Sequence, residues 1–219
     1  MAGELSRGME IEIYADVACP WCYVGKRRLE EALEAYDGEV TVHYRPFQLD
    51  PSPVPTPRPL VEALAAKFGD RERAEQMFDH VTRVAADAGL RLDFDRAVAA
   101  NTFDAHRLVR YATQRGRAAE TVEALYRAHF TDGVDVGSRD ALAEVAAGVG
   151  LDEAEARAFL HSDEGTAEVA AELAAARGLG VTSVPTFVLA GKYAVTGAQE
   201  PETLLAALAE VERRESATS

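Results

Sequence analysis

The chain contains two cysteines, Cys19 and Cys22, set three residues apart as Cys19-Pro20-Trp21-Cys22. Two cysteines placed at random would fall at this spacing in only about one chain in a hundred of this length. Two thiols one helical turn apart suit two kinds of chemistry. They can close and open a disulfide, or they can supply half of a zinc site. A structural zinc site takes four ligands. There is no further cysteine, and His43, His80, His106, His129 and His161 are scattered without a close pair. Reversible thiol chemistry is therefore the expected use, with no metal. That chemistry needs a thiolate, because a thiol is a weak nucleophile.

The elements around the pair follow from periodicity. In Glu10 to Asp16, Ile11, Ile13 and Ala15 alternate with Glu10, Glu12 and Tyr14, the pattern of a strand. The cysteines come next. Lys26 to Tyr36 then carries Leu29, Ala32, Leu33 and Tyr36 at helical spacing, and Gly38 marks the stop. Val40 to Tyr44 is a second strand. Cys19 therefore stands where a strand ends and a helix begins, where unpaired N–H groups and the positive dipole end favour an anion. Pro20 suits the first helical turn, which needs no N–H from it. Cys22, one turn along and more buried, can reach the Cys19 sulfur. Cys19 is the expected attacking thiol and Cys22 the resolving one.

Asp50 to Pro59 holds five prolines in ten residues, so it is neither helix nor central strand and marks a boundary. From Pro59 to about Ser162 the apolar stripes are almost wholly helical. Asp70, Asn101 or Thr102, Ser138 and Asp152 stand where N-caps are expected. The stripe after Asp70 places Ala74, Met77, Phe78, Val81, Val84 and Ala85 inward. Glu164 to Arg177 is another helix. Thr186 to Leu189 and Tyr193 to Thr196 form a hairpin across Ala190-Gly191-Lys192, and Pro201 to Glu212 is a closing amphipathic helix. Met1 to Gly8 and Arg213 to Ser219 are small and polar and are expected to fray.

Without the helical middle, the order is strand, helix, strand, then helix, strand, strand, helix. That is the order of the thioredoxin fold. The expected architecture is an α/β thioredoxin fold with a large all-helical insertion between the second strand and the following helix. Its parts are residues 9–58, the insertion 59–162, and residues 163–213. This fold places a cis proline at the start of its third strand, facing the cysteines, so Val184-Pro185 is the expected cis bond. A proline is tolerated at a strand's first residue. Its expected job is to expose the Val184 main chain to an extended substrate and to keep metal off the two sulfurs.

The net charge of −14 argues against nucleic acid and anionic membranes as partners, both of which call for clustered cations. No apolar run reaches the roughly 20 residues of a membrane span, and the first sixteen residues carry no signal-type stretch. A cytoplasmic protein is expected.

Four segments carry a family resemblance. They are DVACPWCYVGKRRLE from Asp16, YRPFQLDP from Tyr44, NTFDAHRL from Asn101 and SVPTFVLAGKYAVTGAQEPETL from Ser183. In this order they resemble the FrnE-like branch of the DsbA family. The resemblance implies a DsbA-type thioredoxin domain with a helical insertion and cytoplasmic thiol–disulfide exchange on disulfide- or dithiol-containing proteins or small molecules. It also implies that Asn101 and Thr102 face the cysteines; a helix cap is the other use open to them. Related 2-hydroxychromene-2-carboxylate isomerases and kappa-class glutathione transferases usually carry one serine in the redox position. This chain departs from them with two cysteines. Glutathione stands as a candidate reductant or mixed-disulfide partner, and a glutathione-dependent isomerase or transferase of a small aromatic or polyketide-like molecule is the alternative reading.

The remaining residues near the motif have two readings each. Asp16 is either a proton acceptor for the pair or a strand-end cap. Trp21, in the middle of the motif, is expected to offer substrates an apolar platform, with Pro20 beside it. His106 is expected to be packed rather than in the cleft. Lys26, Arg27 and Arg28 are expected to be solvated, with support of a thiolate as their other use.

Overall fold

The computed structural model describes residues 8–218. The fraying expected of Met1 to Arg7 and of Ser219 lies outside them. Strand β1 (Met9–Ala15) runs parallel to β2 (Val40–Pro46) and antiparallel to β3 (Thr186–Leu189), which pairs with β4 (Tyr193–Thr196). The order across the sheet is β2-β1-β3-β4. Helix α1 (Pro20–Glu34) joins the two parallel strands, and α9 (Pro201–Thr218) packs beside it. Ile11, Ile13 and Phe187 meet Val24, Leu29, Leu204 and Leu208 in one apolar core. Burying each large side chain contributes about 1.5–3 kcal/mol.

Both faces of β1 are covered near its end. Tyr14, expected on the polar face, is buried with Phe47 and Ala176 of α8 (Thr166–Gly178). The alternation along the strand is therefore lost where the active site begins. The fraying expected for Arg213 to Thr218 is also absent, because α9 runs on through them.

Between β2 and α8 lie α2 (Leu60–Phe68), α3 (Arg71–Asp87), α4 (Phe103–Thr113), α5 (Ala118–Arg127), α6 (Arg139–Gly148) and α7 (Glu153–His161). Asp70, Ser138 and Asp152 accept hydrogen bonds from Arg73, Ala141 and Glu155 N–H groups, the expected caps. Met77, expected inward, is 47% exposed. The buried stripe of α3 is Ala74, Phe78, Val81 and Ala85, at steps of four, three and four, and Met77 falls beside it. The proline-rich segment forms neither helix nor strand. Its end is pinned where Ala99 N–H donates to Arg58 O and Leu60 N–H donates to Ala97 O.

Two features set the shape of this helical block. Helix α5 widens into a π-helical turn, Ala128–Asp132, which turns His129 and Phe130 inward together. The buried guanidinium of Arg107 donates to the carbonyls of Phe159, Leu160, Ser162 and Glu164, fastening the turn that leads from α7 into α8.

Candidate active site

The two cysteines sit at the junction of β1 and α1. Cys19 is the N-cap of α1, Pro20 its first residue, and Cys22 lies in the first turn, its N–H donating to Cys19 O at 3.0 Å. Both thiols are free. Their exposures differ little, 4% for Cys19 and 2% for Cys22, so the expected contrast in accessibility is slight. The contrast is chemical. Burial drives the proton affinity of the Cys22 thiol well above its ordinary value, and the hydrogen bond and charge of Cys19 add to it, as does the Asp16 charge. A thiol held protonated is a poor attacking group.

The Val184–Pro185 bond is cis, as expected. Cys19 Sγ lies 3.8 Å from Val184 O, so the two segments meet. Pro185 packs on α1 at Gly25, one turn beyond Cys22. A Cβ on Gly25 would stand 2.8 Å from Pro185 Cγ and 3.2 Å from Phe187 Cζ. Gly25 was not singled out from the sequence, although an isolated glycine in a helical stretch is the signal for a close approach. Trp21 is half-buried, with its ring 5.6 Å from that of His80 on α3. Pro20 is half-exposed beside it.

Asp16 follows β1 and is buried beneath the motif. Its Oδ1 accepts from Thr102 Oγ1 at 2.7 Å and from Ala18 N–H at 3.4 Å, and its Oδ2 accepts from Leu49 N–H at 2.8 Å. His106 Nε2 lies 3.4 Å from Oδ1 and 2.9 Å from Phe47 O. Burial opposes the charge of Asp16, but the bonds from His106, Leu49 and Thr102 outweigh it, and its carboxyl sits below the ordinary range. The strand-end cap is present in the bond from Ala18. His106 is both packed and part of this network.

Thr102 thus reaches the cysteines through Asp16. Asn101 does something else. Its Oδ1 accepts from Phe103 N–H and from Gln48 Nε2, and its Nδ2 donates to Pro51 O and Ser52 O. Thr102 stands at the N-cap of α4 without a capping side-chain bond and turns toward Asp16 instead, while Asn101, one residue earlier, holds the first helical N–H, that of Phe103.

A second polar group holds α1 against the helical block. Glu123 of α5 accepts from Tyr23 Oη at 2.8 Å, Lys26 Nζ at 2.7 Å and Arg27 Nη2 at 2.8 Å. Lys26, expected to be solvated, is buried in this cluster because Glu123 and Glu30 both meet its ammonium. Arg28 is mostly buried as well, and donates to Ala198 O and pairs with Glu200. Tyr126, also of α5, stacks on Tyr23 with centroids 5.0 Å apart. These α5 residues had no sequence signal, since they contact the site across about a hundred residues. Behind the network, beside edge strand β2, a cavity of about 180 Å³ is lined by Ala15, Tyr44, Pro46, His106, Val109 and Tyr126.

The arrangement presents two thiols at a helix start, the Cys22 proton held by burial, with a cis proline against them. A family model described as a DSBA-like thioredoxin domain matches residues 10–209. The crystal structure of the probable DsbA oxidoreductase SCO1869 from Streptomyces coelicolor is similar at 41% identity and a TM-score of 0.86, covering 92% of this chain and 89% of that one. The 2-hydroxychromene-2-carboxylate isomerase structure is similar at 19% identity and a TM-score of 0.70, covering 96% of this chain and 99% of that one. The cytosolic disulfide reductase DsbM from Pseudomonas aeruginosa, solved with GSH, is similar at 21% identity and a TM-score of 0.64, covering 93% of this chain and 99% of that one. These last two likenesses are of fold. The family match and the 41% relative, taken with the paired thiols, place this chain in the DsbA-like thioredoxin-domain family of thiol–disulfide oxidoreductases.

Proposed function

We propose that the protein is a cytoplasmic dithiol–disulfide oxidoreductase of the FrnE-like branch, working through a mixed disulfide on Cys19 that Cys22 resolves. The observation that carries this reading is the inequality of the two thiols. Cys19 caps α1 and meets the Val184 main chain, while Cys22 lies one turn deeper with its proton held by burial. Val184 and Pro185 orient an extended partner beside Cys19, and Trp21 with Pro20 gives it an apolar edge. Thr102 supports this site through Asp16, and Asn101 shapes its rim. Partners are proteins or small molecules carrying a disulfide or dithiol. The chemistry needs no metal or nucleotide, and a small thiol such as glutathione can serve as reductant or mixed-disulfide partner; the DsbM likeness in the presence of GSH supports that. The cytosolic placement of DsbM supports the compartment, and no helix among the described residues is long and apolar enough to cross a membrane. The isomerase or transferase reading needs a reactive group at one position and leaves Cys22 without a task.

The test is a pair of variants. Cys22→Ser is expected to accumulate a mixed disulfide with glutathione or a substrate, visible by mass under non-reducing conditions, and to lose dithiol turnover by at least about a hundredfold, as when one member of a catalytic unit is removed. Cys19→Ser is expected to capture little. Both should stay folded, because the pair closes only a short loop. Full turnover by Cys22→Ser would overturn a two-thiol mechanism.

A further inference from the structure

We propose that the cavity between β2, α4, α5 and α8 is a second binding site, separate from the thiol cleft, and that it takes a small neutral phenol.

The cavity has a volume of about 180 Å³. A cavity of about 150 Å³ seats one benzene ring, so this one suits a single six-membered ring and little more. Part of its wall is apolar: Ala15 of β1, Val17 just after it, Val109 of α4 and Val122 of α5. Each of these four is 9% exposed or less. Cys19, Trp21, Cys22, Val184 and Pro185 do not border it. A guest here therefore stays off the sulfurs. That separates the site from the isomerase reading, whose substrate must reach the reactive group.

Two polar residues stand among these walls, His106 at 6% exposure and Tyr126 at 2%. His106 Nε2 lies 2.9 Å from Phe47 O and 3.4 Å from Asp16 Oδ1. A carbonyl oxygen can only accept, so Nε2 carries the hydrogen. The other ring nitrogen, Nδ1, has no hydrogen-bond partner among the described residues. Tyr126 Oη has none there either; its ring is held by stacking on Tyr23 and Phe130, with centroids 5.0 and 6.4 Å away. Among the described residues, the unpartnered side-chain atoms sealed from solvent are Arg27 Nε, Thr121 Oγ1 and the two ring nitrogens of His129. His106 Nδ1 and Tyr126 Oη are unpartnered but not sealed, and the open space both residues border is this cavity. Buried polar groups rarely go without a partner, so two of them at one cavity call for a guest that can hydrogen-bond.

The chemistry of that guest follows from what surrounds it. A phenol hydroxyl both donates and accepts, so it can meet the imidazole nitrogen and the tyrosine hydroxyl together. Burial keeps the Tyr126 proton in place, so its hydroxyl is there to donate. The phenol ring then fills the space against Ala15, Val17, Val109 and Val122. No negative charge is called for. The two cations at the cavity, Arg45 and Arg110, are already paired with Glu12 and Glu172, each at 2.7 Å. Benzene would fill the space and leave both polar atoms bare. Water would satisfy those atoms and gain nothing from the apolar wall. His106 is shared, since the ring that meets the guest also contacts Asp16 beneath the redox motif. The second site thus adjoins the redox centre through one side chain.

The full-length protein with its thiols reduced is titrated with phenol at pH 7, and its valine methyl groups are followed by NMR. Phenol is expected to shift the Val17, Val109 and Val122 methyls saturably, with a dissociation constant below about 1 mM, and to leave the Val184 methyls in place. Benzene should bind at the same methyls about tenfold more weakly, because it leaves the site's polar groups unpaired. Tyr126→Phe keeps the ring and removes the hydroxyl. It is expected to weaken phenol binding about tenfold and to leave benzene binding no weaker. Four results would overturn the proposal: no saturable shift of the cavity methyls up to about 10 mM phenol, ten times that limit; shifts led by Val184; benzene binding as tightly as phenol; or phenol binding to folded Tyr126→Phe within about twofold of the wild type. Should Tyr126→Phe not fold, the comparison of phenol with benzene on the wild type decides alone. No redox step is read, so failure here leaves the two-thiol mechanism standing, and failure of that mechanism leaves this site standing.

Discussion

The sheet side of the site is built from main chain, and the helical block reaches the same site with side chains. On the sheet side, β1 ends, α1 begins, and a cis peptide bond meets Cys19. Each of these is a backbone event, and each has a local sequence mark: an alternating strand, a proline at the first helical position, a proline at the start of a strand. The block sends in Thr102, His106, Glu123 and Tyr126, whose roles depend on what they touch far along the chain. Thr102 bonds Asp16 across 86 residues, and Glu123 bonds Tyr23 across 100. The sheet therefore fixes where the sulfurs are, and the block fixes the charge around them.

The two halves should respond differently to perturbation, the block first through pH. His129 is fully buried in the π turn, neither ring nitrogen has a hydrogen-bond partner among the described residues, and burial draws its pKa down to about 4. Unfolded, it titrates near its usual 6.5. Between these values the unfolded chain binds a proton that the native protein refuses, so stability falls as pH drops from about 6.5 toward 4. The loss should approach about 3 kcal/mol at pH 4. Asp16 and Glu123, both held below the ordinary carboxylate range, lose their contributions only at lower pH. His129→Phe is expected to flatten urea-unfolding free energy across the pH 4 to 6.5 window, whatever constant offset the larger ring adds. An unchanged slope would place the acid sensitivity elsewhere and weaken the contrast drawn here.

The sheet side should respond to space rather than to pH. Gly25→Ala puts a methyl group 2.8 Å from the rigid Pro185 ring. Crowding of this kind costs about 1–3 kcal/mol, and the better helix propensity of alanine returns up to about 1 kcal/mol. A net loss of about 1–2 kcal/mol in urea unfolding is expected, independent of pH from 4 to 8, together with slower disulfide exchange as Pro185 is displaced from Cys19. A stabilised variant with wild-type exchange would mean that the proline loop has room to spare and that its close packing on α1 is not what sets the site.

This division also accounts for what the sequence made legible. The hairpin strands Thr186 to Leu189 and Tyr193 to Thr196 are legible to the residue, because a short β-prone run on each side of an Ala-Gly-Lys turn leaves little choice of register. Ala190 and Gly191 take positive φ values of 51° and 66° there. The cis bond followed from the fold assignment. By contrast, Lys26 looked solvated because nothing near it in sequence suggests Glu123, and Met77 looked buried because stripe spacing alone does not show where a stripe's edge falls. Tyr14 looked polar-facing until α8 covered it. Arg213 to Thr218 looked loose, yet α9 continues through them with the Arg213 and Arg214 side chains both bonded to Glu210. Local pattern gave elements and the motif. Contacts made across a hundred residues gave the charges.

The most direct measurement is brief alkylation of the reduced wild-type protein near neutral pH, quenched within seconds and read by peptide mass. The two cysteines are almost equally buried, so simple access would label them alike. The account expects Cys19 to be labelled first and Cys22 only slowly, because the Cys22 proton is held by burial, by Cys19 and by the Asp16 charge. Equal labelling, or labelling of Cys22 ahead of Cys19, would contradict the assignment of separate jobs to the two thiols.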